Sequence, residues 1–258
     1  MITYDIYNVL SGEVQFTAEI NCEESVSQAF KRRLAVLWAL ENGADLCGAD
    51  LSIVNFIGIN FSNVNFRYAN LRHANFSNVN LRNANLSKTD LRNANLRGAN
   101  LCGANLRGAH LNGANLRKVY LRKADLSCTD LNSADLSGAN FHYVYLNKAD
   151  LKSVDLSDAS LSGTNLSGTD LLCANLSGAH GINDWVKSLQ IEEYPISYTS
   201  ESMQIGCECH FISDWQKFDD TRILQMDGKR ALRFWRKYKS WIFQTIELCP
   251  AKPTGTKP

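Results

Sequence analysis

Residues 94–115 read ANLRGANLCGANLRGAHLNGAN. The phase of this monotonous stretch holds far beyond it. Leu or Phe stands at every fifth position from Leu46 to Leu176, 27 consecutive units. Two residues before each lies a small or β-branched residue, from Ala44, Ala49, Val54 and Ile59 to Ala174, so the unit is A(N/D)LXX. Neither regular element accommodates that spacing. On an α-helix, at about 100° per residue, five residues overshoot a full turn by about 140°, and the leucines would wind around every side. On a straight strand, where side chains alternate, successive leucines would fall on opposite faces. One arrangement buries them all: the chain runs extended for about three residues, turns, and repeats, so that Leu and the residue two before it point inward together. Asn, Asp, Ser and Gly, which tolerate turns, fill the outward positions.

From Ala44 to about Ala179, slightly over half the chain, this run resembles the pentapeptide-repeat proteins. The resemblance implies an all-β solenoid, a right-handed four-sided (quadrilateral) parallel β-helix with four units, or twenty residues, per coil. On that reading 27 units make nearly seven coils. At roughly 4.8 Å per coil the rod is about 30 Å long. Residues twenty apart stack, Phe56 under Phe76 and Leu86 under Leu106. The stability of such a rod is a sum over neighbouring coils, and its open ends need caps.

The flanks supply the caps. Residues 1–43 are expected to form a β-hairpin and a helix. ITYDIYNVL and EVQFTAEI alternate apolar and polar residues around Ser11-Gly12. The helix is expected over 23–41, with Val26, Phe30, Leu34, Leu37 and Trp38 on one stripe that covers the Leu46 layer and Asn42-Gly43 as its stop. Residues 44–180 are the repeat helix. Residues 181–249 are expected to form a mixed, mainly helical cap, in which an irregular aromatic-rich part folds back along the coil with short strands. From Thr221 a helical pattern follows, broken near Asp227-Gly228, with Asp219 or Asp220 starting one helix. Residues 250–258 read as a frayed tail. All five tryptophans lie in these flanks. IGCECH, SDWQKF and MDGKRALRFWRKYKSWI are similar to tails attached to pentapeptide-repeat proteins of phages and prophages, which implies that origin.

Composition narrows the function. A hydrophobic content of 45% suffices for a folded core. The start, MITYDIYNVLSGEVQF, has no basic segment followed by an apolar one, and no apolar run approaches a membrane span. The expectation is a soluble protein of a bacterial cytoplasm that makes no membrane contact. Four of the eight cysteines, Cys47, Cys102, Cys128 and Cys173, sit singly at outward coil positions and are expected as reduced thiols. Cys207, Cys209 and His210 lack a second ligand pair for zinc, so no metal and no cofactor are expected. The coil histidines, His73, His110, His142 and His180, are isolated on outward or terminal positions. A catalytic pocket needs concavity, which a rod without inserted loops does not supply. The reading is therefore not an enzyme.

Charge is more informative. The repeat section holds thirteen Lys and Arg against ten Asp. From Arg67 to Lys123 eleven basic residues face Asp90 alone, whereas from Asp125 to Asp170 seven aspartates face Lys148 and Lys152. The rod is bipolar along its axis. Candidate partner-binding residues are Arg67, Arg72, Arg82, Arg92, Arg97, Arg107, Arg117 and Arg122 in the band. Arg233, Arg236 and Lys237 join them from the C-terminal helix, whose Leu232, Trp235 and Tyr238 or Ile242 are expected to face the rod. The expected function is non-enzymatic protein–protein interaction with a host or viral protein through the outer faces and the C-terminal cap. A dimer through a capped end is also open. Some pentapeptide-repeat proteins resemble B-form DNA and bind DNA gyrase or topoisomerase IV in its place; that alternative asks for a continuous anionic surface. The second alternative is nucleic acid bound directly by the basic band, which has only Tyr68 and Tyr120 for stacking.

Overall fold

The computed structural model describes residues 1–171, 174–181, 184–192 and 194–253. Cys173 and residues 254–258 of the expected tail lie outside them.

Parallel bridges join residues twenty apart along the repeat, from Asp50 with Asn70 to Ser160 with His180. Twenty residues are four units, so each coil has four sides. The Leu or Phe at every fifth position from Leu46 to Leu176 is buried, and the Phe56 and Phe76 rings stack at 4.7 Å. The unit 104–108 shows why the motif has its composition, because each of its five backbone N–H groups has a designated acceptor. Ala104 N–H closes the preceding turn on Leu101 O at 3.0 Å; Asn105 N–H reaches down one coil to Ala84 O at 2.9 Å. Leu106 and Gly108 reach up one coil, to Asp125 O at 2.7 Å and Ser127 O at 3.0 Å. The fifth donor, Arg107 N–H, bonds the Asn105 side-chain Oδ1 at 3.0 Å. An outward Asn or Asp is thus a turn-closing acceptor, needed because backbone donors in a packed rod must be satisfied. The second turn residue lies in the left-handed region, where Gly and Asn are favoured, as at Gly108 (φ 67) and Asn83 (φ 55). Where Thr replaces the inward Ala, its hydroxyl bonds a backbone carbonyl, Thr89 to Leu86 O and Thr129 to Leu126 O, both at 2.6 Å.

The first coil has no coil beneath it, which leaves its downward carbonyls without donors. The N-terminal segment supplies them. Strands β1 (Ile2–Tyr7) and β2 (Val14–Ile20) form an antiparallel hairpin. Asn8 then bridges Ala49, and Val9 N–H meets Gly48 O at 2.8 Å. The Gln15 amide takes Asp45 O and Cys47 O at 2.6 and 2.9 Å. Helix α1 (Gln28–Asn42) starts at its Ser27 cap and stops at left-handed Gly43. From it, Arg32 donates to Ser52 O at 3.0 Å, and Arg33 to Asn55 O and to Ile57 O, the latter at 2.9 Å. Three side chains therefore imitate the missing coil. The helix begins five residues later than its apolar pattern suggests, and its fully buried face is Ala35, Val36 and Ala39. Val26 precedes it, Phe30 is exposed, and Leu34, Leu37 and Trp38 are half-buried.

At the other end a sheet of order β3-β4-β5-β6 (Lys187–Ile191, Tyr194–Tyr198, Ser202–Ile205, Glu208–Phe211) is antiparallel throughout. It does not fold back along the coil but closes the last one. Gln204 plugs the open edge: its Oε1 accepts from Leu176 N–H at 2.8 Å, and its Nε2 donates to Asn175 Oδ1 at 3.1 Å. Helices α2 (Ile212–Lys217) and α3 (Asp220–Leu248) cover the sheet, α3 starting at the Asp219 cap and breaking at Asp227 and Gly228. This unit has a core of its own, with Ile196, Tyr198, Met203, Trp215, Trp235 and Ile242 buried together. Trp235 and Ile242 therefore bury against the sheet and not against the rod, because four strands with an apolar face outcompete an already closed coil for the helix's apolar stripe. The chain from Pro250 is held where described: Ala251 is buried, and Lys252 N–H bonds Asp184 O at 2.7 Å. No helix among the described residues is long and apolar enough to cross a membrane.

Candidate interaction surface of the rod

Each unit presents the Asn or Asp before its Leu, and its two turn residues, outward. Grouped by the twenty-residue repeat, the basic side chains do not form a stripe. The first face and its turns carry Arg67, Lys88, Arg107 and Lys148; the second Arg72, Arg92 and Lys152; the third Arg97, Arg117 and Lys118; the fourth Arg82, Arg122 and Lys123. The band is a girdle around all four sides. The aspartates are distributed differently. Asp50, Asp90, Asp130, Asp150 and Asp170 occupy one column on the second face; Asp135, Asp155 and Asp158 belong to the third, Asp45 and Asp125 to the first, and none to the fourth. A transverse charge asymmetry is superposed on the axial one.

That distribution decides which cations are engaged. On the second face Arg92 clamps Asp90 through two nitrogens, Nε to Oδ1 at 2.8 Å and Nη2 to Oδ2. Burial pushes the Asp90 carboxyl up, but hydrogen bonds from the Arg92 side chain and backbone outweigh it and hold the group below the usual carboxylate range. Lys152 lies 3.0 Å from Asp170 and 3.8 Å from Asp150, and on the third face Arg117 lies 3.4 Å from Asp135. Arg67, Arg72, Arg82, Arg97, Arg107 and Arg122 form no ion pair among the described residues. On the first face Arg67, Lys88 and Arg107 instead surround a shallow cleft of about 500 Å³ floored by Asn85, Ser87, Asn105, Gly108 and Cys128. The Lys88 ammonium hydrogen-bonds the Tyr68 hydroxyl at 3.3 Å, and the Arg67 guanidinium lies 4.6 Å from the Tyr68 ring. These cations, Lys88 foremost, lower the Tyr68 phenol from its ordinary range.

The pentapeptide-repeat family model matches in overlapping segments, 42–67, 59–98, 84–121, 114–152 and 149–180. The chain is a pentapeptide-repeat protein. The family's fold is the right-handed quadrilateral β-helix, and the twenty-residue bridges fit its four-sided coil. Among solved structures it is similar to trypsin-treated QnrB1, a plasmid-mediated fluoroquinolone resistance protein, at 19% identity over 54% of this chain and 84% of that one, with a TM-score of 0.39. It is also similar to HetL, a pentapeptide-repeat protein involved in heterocyst differentiation regulation from the cyanobacterium Nostoc, at 33% identity over 53% of this chain and 82% of that one, with a TM-score of 0.22. No protein of curated function matches. Such likeness carries no argument about activity.

Off the rod, this pentapeptide-repeat protein already uses two of the three C-terminal candidates internally. Arg236 grips Asp220, Nε to Oδ2 at 3.0 Å, and Lys237 reaches Glu192 at 2.7 Å. Glu192, bonded by Lys237 and by the Tyr238 hydroxyl, is lowered below its usual range. Arg233 lines an open cleft with Arg230 and Glu192. His210, its Nε2 3.0 Å from Glu208, packs edge-on against Trp215 and Phe218, and no group of three potential metal ligands gathers among the described residues. Two residues missed from sequence are Tyr143 and Tyr145. Read along the chain they stand beyond the basic band; in the coil they lie one level above Lys123 and Asp125 and bring two further aromatic rings to the edge of the first face. Reading the sequence in steps of twenty would have found them.

Proposed function

We propose that this protein is a non-enzymatic interaction module of phage or prophage origin, acting in a bacterial cytoplasm. It binds a host or viral protein through the outer faces of the rod and the C-terminal unit. Pentapeptide-repeat proteins are generally structural or interaction proteins. The observation that carries the reading is the girdle of unpaired arginines held on a rigid ladder, since charges fixed in position and left without internal partners favour encounter with an oppositely charged surface. The test is capture from host lysate by the native protein beside Arg97→Glu with Arg122→Glu, neither residue being ion-paired. A partner retained equally by both forms overturns the assignment to the girdle. A dimer through a capped end would use the hairpin tip, where Tyr7, Val9 and Leu10 are exposed. The aspartate column favours the second reading, a DNA-like binder of gyrase or topoisomerase IV, although Arg92 and Lys152 interrupt its charge. In a gyrase supercoiling assay that reading requires an effect that Asp130→Asn with Asp150→Asn removes.

A further inference from the structure

We infer that the first face of the rod, between Arg67 and Tyr145, binds single-stranded nucleic acid, phosphates lying in the Arg67–Lys88–Arg107 cleft and bases stacking on Tyr143 and Tyr145. Two independent observations meet on this face.

The first is the cleft. Three cations without ion pairs ring a hollow made by small Ser87 and Gly108 between larger neighbours. Its floor offers donors. Asn85 Oδ1 is occupied by the Ser87 N–H and hydroxyl, and Asn105 Oδ1 by Arg107 N–H. Both side-chain amide groups therefore keep N–H donors for an anion. The carboxylates stand mostly on the second and third faces; on this one Asp45 lies in the first coil, and Asp125 stands one coil above Asn105, between the cleft and Tyr145.

The second is a local breach of the repeat's own rule. Tyr145 stands where Asn or Asp should close the turn, so no side-chain oxygen receives the following N–H; Tyr120, around the corner on the fourth face, does the same. Tyr143 occupies the left-handed turn position (φ 57), and its ring lies over Gly163, where a Cβ would come within 2.7 Å of it. The three tyrosines are 54%, 58% and 54% exposed. Each forfeits local stability to present an aromatic ring, Tyr120 two residues before Arg122, Tyr143 one coil above Lys123 and Tyr145 one coil above Asp125, and such breaches concentrate at functional positions. Tyr145 lies two coils, about 10 Å, above Asn105. Cations alone would serve an acidic polypeptide; cations followed along one side of the rod by exposed rings are what single strands require, since every base has a face to stack.

Fluorescence anisotropy with a labelled oligodeoxythymidylate of about 15 nucleotides tests this. Three phosphate contacts predict a log K against log salt slope of about −2, falling to about −0.7 in Arg67→Ser with Arg107→Ser. Tyr145→Asn with Tyr143→Gly restores the repeat consensus, so the melting temperature should hold or rise while binding weakens at least about tenfold. Arg92→Ser, which removes a paired arginine from another face, should leave binding unchanged. The inference is overturned if the oligonucleotide is not retained at low salt, if the tyrosine variant binds as tightly as the native protein, or if Arg92→Ser costs as much as the cleft variant. Equal competition by tripolyphosphate and by polyglutamate, with no effect of the tyrosines, also overturns it in favour of a plain anion site.

Discussion

Leu106→Ala tests the packing of the columns directly. Leu106 is 0% exposed and sits mid-rod between Leu86 and Leu126. Deleting a buried Leu to Ala costs about 2–5 kcal/mol, the spread reflecting how far the surroundings collapse into the void. Here they cannot close it easily, because Leu86 N–H to Asn105 O and Leu106 N–H to Asp125 O, both 2.7 Å, fix the coil spacing above and below. The expected loss is therefore in the upper half, about 3–5 kcal/mol. A Lys at the same position adds the cost of an unpaired buried charge and is expected to prevent the adjoining coils from folding. Ser127 is a poor outward control, since at 6% exposed it is itself buried; Arg82→Ala, exposed and unpaired, should stay within about 0.5 kcal/mol. Urea unfolding followed by circular dichroism measures all three variants. A Leu106→Ala loss below about 1 kcal/mol would mean that the column relaxes like a liquid, and the rigidity argued from the ladder would be wrong.

Gln204→Ala leaves Leu176 N–H without its acceptor at a buried end and should cost about 1–3 kcal/mol, with the last coil exchanging its amide hydrogens first; unchanged exchange there would show that the plug is dispensable. Asp184, Glu192 and Asp220 all titrate below their ordinary values because Lys252, Lys237 and Arg236 respectively bond them. Depressed carboxylates contribute stability that is present above their unfolded values and lost as pH falls through the folded ones. As pH falls below about 4.5 the C-terminal unit should therefore loosen, with Trp215 and Trp235 emission shifting red ahead of the rod's β signal; simultaneous loss of both signals would refute separate cores. Gly103→Ala places a Cβ 2.4 Å from Asn83 Oδ1 at φ 70, whereas Gly58→Ala meets nothing within 4 Å at φ 82. Both should destabilise by about 1 kcal/mol through the left-handed backbone, Gly103→Ala by more, and equal thermal melts would contradict the close approach.

The rod was legible because a Leu or Phe at every fifth position cannot be reconciled with a period of 3.6 or of 2. The caps were only partly so. Arg32, Arg33 and Gln15 read as ordinary polar residues, since nothing in the sequence says that they will meet orphaned carbonyls. Phe30 misled the helix reading because its spacing fits a stripe while the cap geometry leaves it outside. In the C-terminal unit β5 is buried at all four positions, so no alternation announces a strand, and the helices dominate the pattern. The candidate surface was read along the chain as a band with an acidic end. Its true axes are the columns, and Asp50, Asp90, Asp130, Asp150 and Asp170 fall into line only when residues are compared one coil apart.

The twenty-residue register also governs how such a chain can change length. Loss or duplication of twenty residues removes or adds one storey and returns every surviving side chain to the face it held before, because Asn85 meets Asn105 as Asn105 meets Asp125. A change of five keeps Leu inward but turns everything above it by a quarter, carrying the aspartates of the second face onto another wall. A change of one throws the leucines outward. Inheritance of this fold is therefore quantised, with whole storeys nearly neutral, single units rewriting the surface, and single residues lethal to the rod.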